Sequence, residues 1–374
     1  MQEYSEGLIK KMSRKEIIKS ILDASDVNAI LITDPYSLRY YTGFRGGEGV
    51  AVVTGNRSVL MVDSRYTEAA EKESDFEVIE FSVKRPLKDI LLEIVRSENV
   101  TAVGFEDQSI TFADYTRYNK YFNDGSAEGK EEIKTVPLGD SLLIPRQIKT
   151  PEEIELLREA EHIGDMAFDD ILGILKPGMT ELEVAAEIEY SMKKHGAEGL
   201  SFDTIAASGV NSSMPHAIPS SKKLAEGEFI TMDFGCIYQG YCSDMTRTVC
   251  IGKASDEMKQ VYNIVLSAQL SVLENLKPGM MCKDVDRIAR DYITAQGFGE
   301  YFGHGLGHGV GLYIHESPAF NTRDTSIVKP GMIETDEPGI YLPGRFGVRI
   351  EDMVLITEDG AESLACSLKR LIEL

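Results

Sequence analysis

Residues 175–184 read LKPGMTELEV, and residues 276–285 read LKPGMMCKDV. In each, a Pro-Gly pair stops one helix and makes a turn, and the residues after it return to helical spacing. Either stretch alone is an ordinary helix end. Together they mark a repeat, because their surroundings match as well. A long helical pattern precedes each copy and a second helix follows it. The following helices end at His195-Gly196-Ala197 and at Gln296-Gly297-Phe298, again 101 residues apart. So long a period is not that of a solenoid. It predicts a duplicated helix–turn–helix–strand unit, two pseudo-two-fold halves of an α+β domain closing on a central sheet.

The repeat lies in the second part of the 374-residue chain, which is long enough for two domains. Thr150-Pro151-Glu152-Glu153 reads as a helix start, with Thr150 as N-cap, Pro151 at the first helical position and Glu153 completing a capping box. A second domain is therefore expected over 151–374, after a linker at 141–150. Over 1–140 the patterns alternate. Strands are expected at 28–33, 49–54, 58–63, 76–81 and 101–106, with a hairpin turn at Gly55-Asn56. Helical spacing falls near 14–24, 64–73, 86–98 and 111–122. This is an α/β domain with a mixed sheet, containing no histidine and no cysteine.

Composition narrows the function. A formal charge of −22 argues against nucleic acid or an anionic membrane as partner. No apolar stretch approaches membrane-spanning length, and the charged start MQEYSEGLIKKMSRKEII does not read as a secretory leader. Cys236, Cys242, Cys250, Cys282 and Cys366 form no CxxC pair and read as reduced thiols of a cytoplasmic protein.

Two hairpins carry paired carboxylates. In MDFGCIYQGYCSDMTRT (232–248), Asp233 and Asp244 flank a turn at Gln239-Gly240, which predicts that they lie nearly opposite on one face. In EPGIYLPGRFGVRIE (337–351), Glu337 and Glu351 are centred on Gly344 of a Pro-Gly turn, the same arrangement. Opposed residues of a hairpin hold their Cβ atoms roughly 4.5–5.5 Å apart, where like charges repel. One such pair reads equally well as a solvated rim. Two pairs in apolar strands call for a counter-charge, and the histidine cluster GHGLGHGVGLYIHE (303–316) adds imidazole to the oxygens. Carboxylates and imidazole suit two divalent ions, Mn2+ or Co2+ before a thiolate zinc site.

Asp233 and Asp244, the stretch 303–316, EPGIY (337–341) and GVRIED (347–352) together resemble the metal peptidases of the creatinase, or pita-bread, fold. Within them the chain is similar to the Xaa-Pro aminopeptidase and Xaa-Pro dipeptidase (prolidase) branch. LRYYTGFRGGEGV (38–50) and DSRYTEAA (63–70) resemble that branch's N-terminal domain, so the likeness covers nearly the whole chain. The resemblance implies that Asp233 binds one metal, that Asp244 and Glu351 bridge both, and that His308 and Glu337 complete the second. The oxygen-rich ligation favours Mn2+, with Co2+ or Zn2+, which share these ligands, as alternatives. His304 and His315 would meet substrate and tetrahedral intermediate, and His216, in NSSMPHA, would face the metals from the other half. Glu337 would shuttle the proton. His162 and His195 read only as a helix-surface and a helix-end residue. Glycines 303, 305, 307 and 309 would let the backbone pass close to the site. Arg349, two residues before Glu351, shares its strand face and is expected to steer that carboxylate.

The expected reaction is hydrolysis of the bond between an N-terminal residue and a following proline, on proline-containing peptides, by a homodimer. Dipeptidases of this family often carry HExPR, whose arginine can hold a terminal carboxylate; here the run is HESPA, ending at Ala319, with Arg323 nearby. Asp336 also replaces the aliphatic residue of many relatives. Both departures favour the aminopeptidase over the dipeptidase. A methionine aminopeptidase would share the five ligands without the N-terminal domain. A creatinase-like hydrolase would not require the full ligand set, and a non-catalytic binding protein would be marked by its loss.

Overall fold

The computed structural model describes residues 12–123 and 132–374. The leader reading rests largely on residues 1–11, which lie outside them. The chain divides into two compact units, Met1–Arg146 and Gln147–Leu374. The division falls within 141–150, the segment expected as a linker.

The first unit runs α1 (Arg14–Ala24), β1 (Ala29–Ile32), α2 (Pro35–Thr42), β2 (Val50–Thr54), β3 (Ser58–Val62), α3 (Thr67–Glu73), β4 (Glu77–Glu80), α4 (Leu87–Ser97), β5 (Ala102–Phe105), α5 (Phe112–Asn123) and β6 (Lys134–Pro137). The sheet is mixed, in the order β4-β3-β2-β1-β5-β6. Strands β1–β3 pair antiparallel and the flanking strands parallel. Every residue of β1, β2 and β3 is buried, as expected of strands covered on both faces. Sequence reading passed over α2 and β6. Helix α2 does carry start and stop signals: Asp34 accepts a hydrogen bond from Ser37 N, Pro35 stands at the first position, and Gly43 closes the helix at φ +75°.

The second unit is the duplicated one. Its first half contains α6 (Pro151–Leu172), α7 (Glu181–Lys194), β7 (Gly199–Leu200), β8 (Ile205–Ser208), β9 (Glu228–Phe234), β10 (Cys236–Tyr238), β11 (Tyr241–Cys242) and β12 (Met245–Ile251). The second contains α8 (Asp256–Asn275), α9 (Cys282–Ala295), β13 (Gly307–Gly309), β14 (Glu316–Phe320), β15 (Ile333–Asp336), β16 (Gly339–Leu342), β17 (Phe346–Arg349), β18 (Asp352–Ile356) and β19 (Ala361–Ser363). Helices α7 and α9 begin and end at equivalent repeat positions. Their turn glycines match as well: Gly178 and Gly279 have φ +91° and +89°, and Gly196 and Gly297 have +110° and +88°. A left-handed backbone there requires glycine, which is why the LKPGM stretches and the later His195-Gly196 and Gln296-Gly297 turns survive as legible copies. Thr150 makes the expected capping box with Glu153, and Thr180 makes another with Glu183.

Each helix pair covers its own sheet. One core joins α6 and α7 residues such as Phe168 and Ile188 to Ile230, Met232 and Val249. The other joins α8 and α9 residues such as Val265 and Ala289 to Val348, Ile350 and Val354. The seam between the halves is polar. Arg247 of β12, only 1 % exposed, donates from Nη1 to the carbonyls of Thr246 (3.0 Å) and Glu351 (2.5 Å), and from Nη2 to Asp352 Oδ1 (2.9 Å). All five cysteines are free, four of them buried. His162 lies exposed on α6, and His195 caps the C-terminus of α7 with Nε2 3.0 Å from Asp170. Among the described residues no helix is long and apolar enough to cross a membrane.

Candidate metal centre

The first hairpin differs in register from its sequence reading. β9 and β12 pair Asp233 with Thr246, and the same register continues to the tip, where Ile237 faces Cys242 and Tyr238 faces Tyr241. Gln239 (φ +43°) and Gly240 (φ +81°) make a two-residue turn with both residues left-handed, the kind that suits strand twist. Asp233 and Asp244 are therefore diagonal rather than opposed. They still share a face, because Asp244 stands two residues before Thr246. At their level only Gly235 fits: a Cβ there would lie 1.9 Å from the Ser243 carbonyl.

The second hairpin keeps the expected register. Asp336 pairs with Asp352 in one ladder and Gly339 with Arg349 in the next, and Gly344 turns at φ +71°. Glu337 and Glu351 fall between the two ladders, directly across from each other. Pro338, which has no N–H, marks the break.

The hairpins meet at the seam. Asp233, Asp244 and Glu351 each place a carboxylate oxygen within 4.8 Å of the others. His308 Nε2 lies 3.5 Å from Asp244 Oδ2 and 3.7 Å from Glu337 Oε1. All five expected ligands thus converge. Thr246 Oγ1 donates to Glu351 Oε2 (2.6 Å), and Thr335 Oγ1 donates to Glu337 Oε1 (3.3 Å) while accepting from His308 N (3.0 Å).

Arg349 is buried beside these acids. It was expected to steer Glu351, its neighbour on the strand face. Its Nη2 instead donates to Asp233 Oδ2 at 2.5 Å, Nη1 to Tyr341 OH at 2.9 Å and to Pro215 O at 3.3 Å, and Nε to Thr246 Oγ1 at 3.0 Å. Its hydrogen-bonded route to Glu351 runs through Thr246, and its charge acts on that carboxylate as well. Tyr341, which sequence reading did not single out, also stands 3.0 Å from His304 Nε2, whose Nδ1 faces Gly305 O at 2.7 Å. Both ring nitrogens of His304 are thus occupied within the protein. His315 packs edge-on against His308, ring centres 4.5 Å apart. His216 is exposed on the loop that follows β8.

The glycines of 303–309 do not act alike. A Cβ on Gly307 would lie 1.9 Å from Thr335 O, and on Gly305 or Gly309 3.0 Å from a carbonyl, whereas nothing lies within 4 Å at Gly303. Close approach therefore explains three of the four. Gly307→Ala would push β13 off β15, taking His308 with it. We expect a loss of about 1–3 kcal/mol in stability and at least tenfold weaker metal binding. Chemical unfolding and metal titration check this, and wild-type values in both would refute it.

The electrostatics test whether a cation fits. Burial, the neighbouring Asp244 and Glu337 push the Glu351 carboxyl well above the usual range; burial and the Asp233 charge do the same to Asp244. Burial pushes Glu337 up to about 8, against the pull of Arg349. Burial, then His315, lowers His308 to about 4, leaving a neutral imidazole. Its Nδ1 lies 3.2 Å from Gly309 O; with the proton there, the Nε2 lone pair points at carboxylate oxygens. Buried Asp233 Oδ1 has no hydrogen-bond partner among the described residues. Lone pairs and carboxyl groups facing one another in a largely buried site fit divalent cations, which replace the protons these acids otherwise retain.

The three acids have folded-state pKa values raised above the unfolded ones, so their stabilising contribution is complete below the ordinary carboxylate range and is lost as pH rises through about 8 for Glu337. The Tm of the metal-free protein should fall between about pH 5.5 and 8.5, and Mn2+ should raise it most at the alkaline end. Calorimetry on chelator-treated protein checks this; a metal effect independent of pH would refute it.

Comparison with known proteins agrees with this geometry. Residues 155–358 match metallopeptidase family M24, and residues 14–136 match the creatinase/prolidase N-terminal domain. The chain is 42 % identical over 358 residues to an uncharacterized peptidase of Bacillus subtilis, covering 96 % of this chain and 99 % of the relative. It is 38 % identical over 360 residues to a Xaa-Pro dipeptidase of Pyrococcus furiosus, with coverage of 96 % and 99 %. Among solved structures, a Xaa-Pro dipeptidase from Bacillus anthracis superposes with a TM-score of 0.91 at 40 % identity, covering 96 % of this chain and 99 % of that one. An X-Pro aminopeptidase from Thermotoga maritima gives 0.88 at 37 % identity, covering 97 % and 100 %. With its creatinase-type N-terminal unit, its duplicated second unit and a carboxylate–histidine cluster at the seam, the chain belongs to metallopeptidase family M24, among the creatinase-fold Xaa-Pro peptidases, and is a peptide-bond hydrolase.

Proposed function

We propose that the protein hydrolyses the bond between an N-terminal residue and proline, and that its preferred substrates are Xaa-Pro dipeptides. The observation that carries the hydrolytic reading is the convergence of Asp233, Asp244, His308, Glu337 and Glu351 from both hairpins. The preference for dipeptides is supported by the Pyrococcus and Bacillus relatives that bear that activity in their names. The aminopeptidase favoured by the sequence is the second reading. It keeps support from Ala319, which pairs with His308 across β13–β14 and offers no charge there, and from the likeness to the Thermotoga aminopeptidase. Arg323, exposed on the loop after β14, is the group that could hold a dipeptide's carboxylate in place of the missing arginine.

Two divalent ions, Mn2+ in this proposal, would be held by Asp233 on one side, His308 and Glu337 on the other, with Asp244 and Glu351 shared; they would supply Lewis acidity at the scissile carbonyl and lower the pKa of the attacking water. The remaining work falls to side chains. Glu337, kept in place by Thr335, takes the water proton and returns it to the departing proline nitrogen, a poor leaving group until protonated. His315 and His216 donate to the developing oxyanion. Arg349 fixes Asp233 and, through Tyr341, His304, so the carboxylate does not swing toward the substrate amine. The protein acts in this proposal as a cytoplasmic homodimer, which light scattering checks.

Metal-depleted protein given Mn2+ should cleave a Xaa-Pro dipeptide at least tenfold faster, in kcat/KM, than a Xaa-Pro-Xaa tripeptide. The reverse preference would establish the aminopeptidase. Cleavage of neither, with metal bound, would overturn the proline-specific reading.

A further inference from the structure

The segment Ser208–Ser220 carries His216, and its Pro215 carbonyl accepts from Arg349. Apolar packing does little to hold it, since Val210, Met214 and Ile218 are exposed, Ile218 at 86 %. Polar contacts hold it instead: Gly347 N donates to Ser212 Oγ (2.9 Å), Lys222 Nζ donates to Ser208 Oγ (2.7 Å), and one carboxylate meets both ends. Glu181, the first residue of α7, is fully buried, and its carboxylate lies between the two ends of the segment. Oε1 accepts from Ser208 N (2.7 Å), Ser208 Oγ (2.8 Å) and Asn211 Nδ2 (3.0 Å). Oε2 accepts from Ser220 N (3.1 Å), Ser220 Oγ (2.6 Å) and Asn211 Nδ2 (3.1 Å). Two backbone N–H groups, one at each end of the loop, thus share one carboxylate.

The other half solves the same problem with a carboxylate one turn further along the equivalent helix. Buried Asp286 of α9 accepts from Leu306 N (3.1 Å) and holds Arg290, which donates to the carbonyls of Phe302 (2.9 Å) and His304 (2.6 Å). In each half, the helix after the LKPGM turn pins the loop that bears an active-site histidine. The repeat position of Glu181 itself is taken by buried Cys282.

We infer that Glu181 is a positioning residue for hydrolysis, tying both ends of the 208–220 loop so that Pro215 stays on Arg349 and His216 stays at the rim of the site. This rests on the proposed role of His216. An amide cannot replace the carboxylate: in either orientation the NH2 of glutamine would face the backbone N–H of Ser208 or of Ser220, loosening the loop at that end, where the β8–β9 pairing of Ser208 or the Leu182 N bond to Ser220 O would remain.

The test compares Glu181→Gln, His216→Ala, the double variant and the milder Ser220→Ala, which deletes one hydroxyl only. Amide hydrogen exchange is read on the metal-free proteins, and kcat, KM and metal content on the Mn2+-loaded ones. Glu181→Gln should speed exchange across 208–220 at least tenfold, keep the metal content, and lower kcat on the order of 10- to 100-fold with a smaller change in KM. Ser220→Ala should shift exchange in the same direction by less. The double variant should be slower than His216→Ala by less than the full cost of Glu181→Gln, since only the Pro215–Arg349 contact is left to lose. Unchanged exchange in both Glu181→Gln and Ser220→Ala, or costs that multiply in the double variant, would overturn the inference. If the wild type cleaves no Xaa-Pro peptide, the proposed function has failed, and the exchange measurement still decides whether Glu181 clamps the loop.

Discussion

Asp244→Ala should lower kcat/KM on a Xaa-Pro substrate by at least about a thousandfold, roughly 4 kcal/mol of transition-state stabilisation. The position explains the size. Asp244 is buried at the seam, within reach of Asp233 and Glu351 and 3.5 Å from His308, so its loss removes a carboxylate that lies beside three of the four other proposed ligands. Metal content should fall with activity. The metal-free variant, in contrast, should melt no lower than metal-free wild type, because the substitution removes a buried carboxyl whose ionisation burial and Asp233 already oppose. This opposite sign separates a lost metal site from a damaged fold. Retention of a tenth of wild-type activity would refute the assignment.

Asp352→Ala should have the largest effect on the fold, about 3–5 kcal/mol in urea unfolding of the metal-free protein. Asp352 is fully buried and accepts from Arg247 (2.9 Å), Lys369 (2.6 Å), Gln269 (3.1 Å) and Ser363 (2.9 Å). Burial alone would raise its pKa, but Arg247 and Lys369 outweigh that and hold it below the usual range. Alanine would leave the Arg247 guanidinium buried among the carbonyls of Thr246, Glu351 and Ser367 without the carboxylate it pairs with. Asp352→Asn keeps the shape and should cost less than the alanine variant. A loss below about 1 kcal/mol in Asp352→Ala would show that the seam does not depend on this pair.

The parts legible in the sequence are those governed by local rules. The LKPGM copies depend on glycines with positive φ, and the caps at Thr150 and Thr180 depend on a short polar side chain three residues before a glutamate. The pairing of Glu337 with Glu351 follows from one tight turn at Gly344. What was missed depends on distant partners. Strand β6, KTVP, has no apolar alternation, and it is a strand because β5 offers it a parallel edge. The true neighbour of Asp233 in the first hairpin is Thr246, because the turn is centred one residue off the aspartate midpoint. Arg349 reaches Asp233 across the seam, 116 residues away, where strand alternation cannot assign it. Tyr341 and Thr335 did leave a signal: each lies an even number of residues from Glu337, Thr335 two before it and Tyr341 four after it.

A duplicated unit ordinarily leaves two interchangeable copies, one free to drift while the other keeps the task. The polar seam has removed that freedom. Asp233 and Asp244 come from one copy, His308, Glu337 and Glu351 from the other, and Arg247 of the first copy is neutralised by Asp352 of the second. Neither copy can now be lost, relaxed or restored to independence, and the history of each since the doubling is bound to that of its twin.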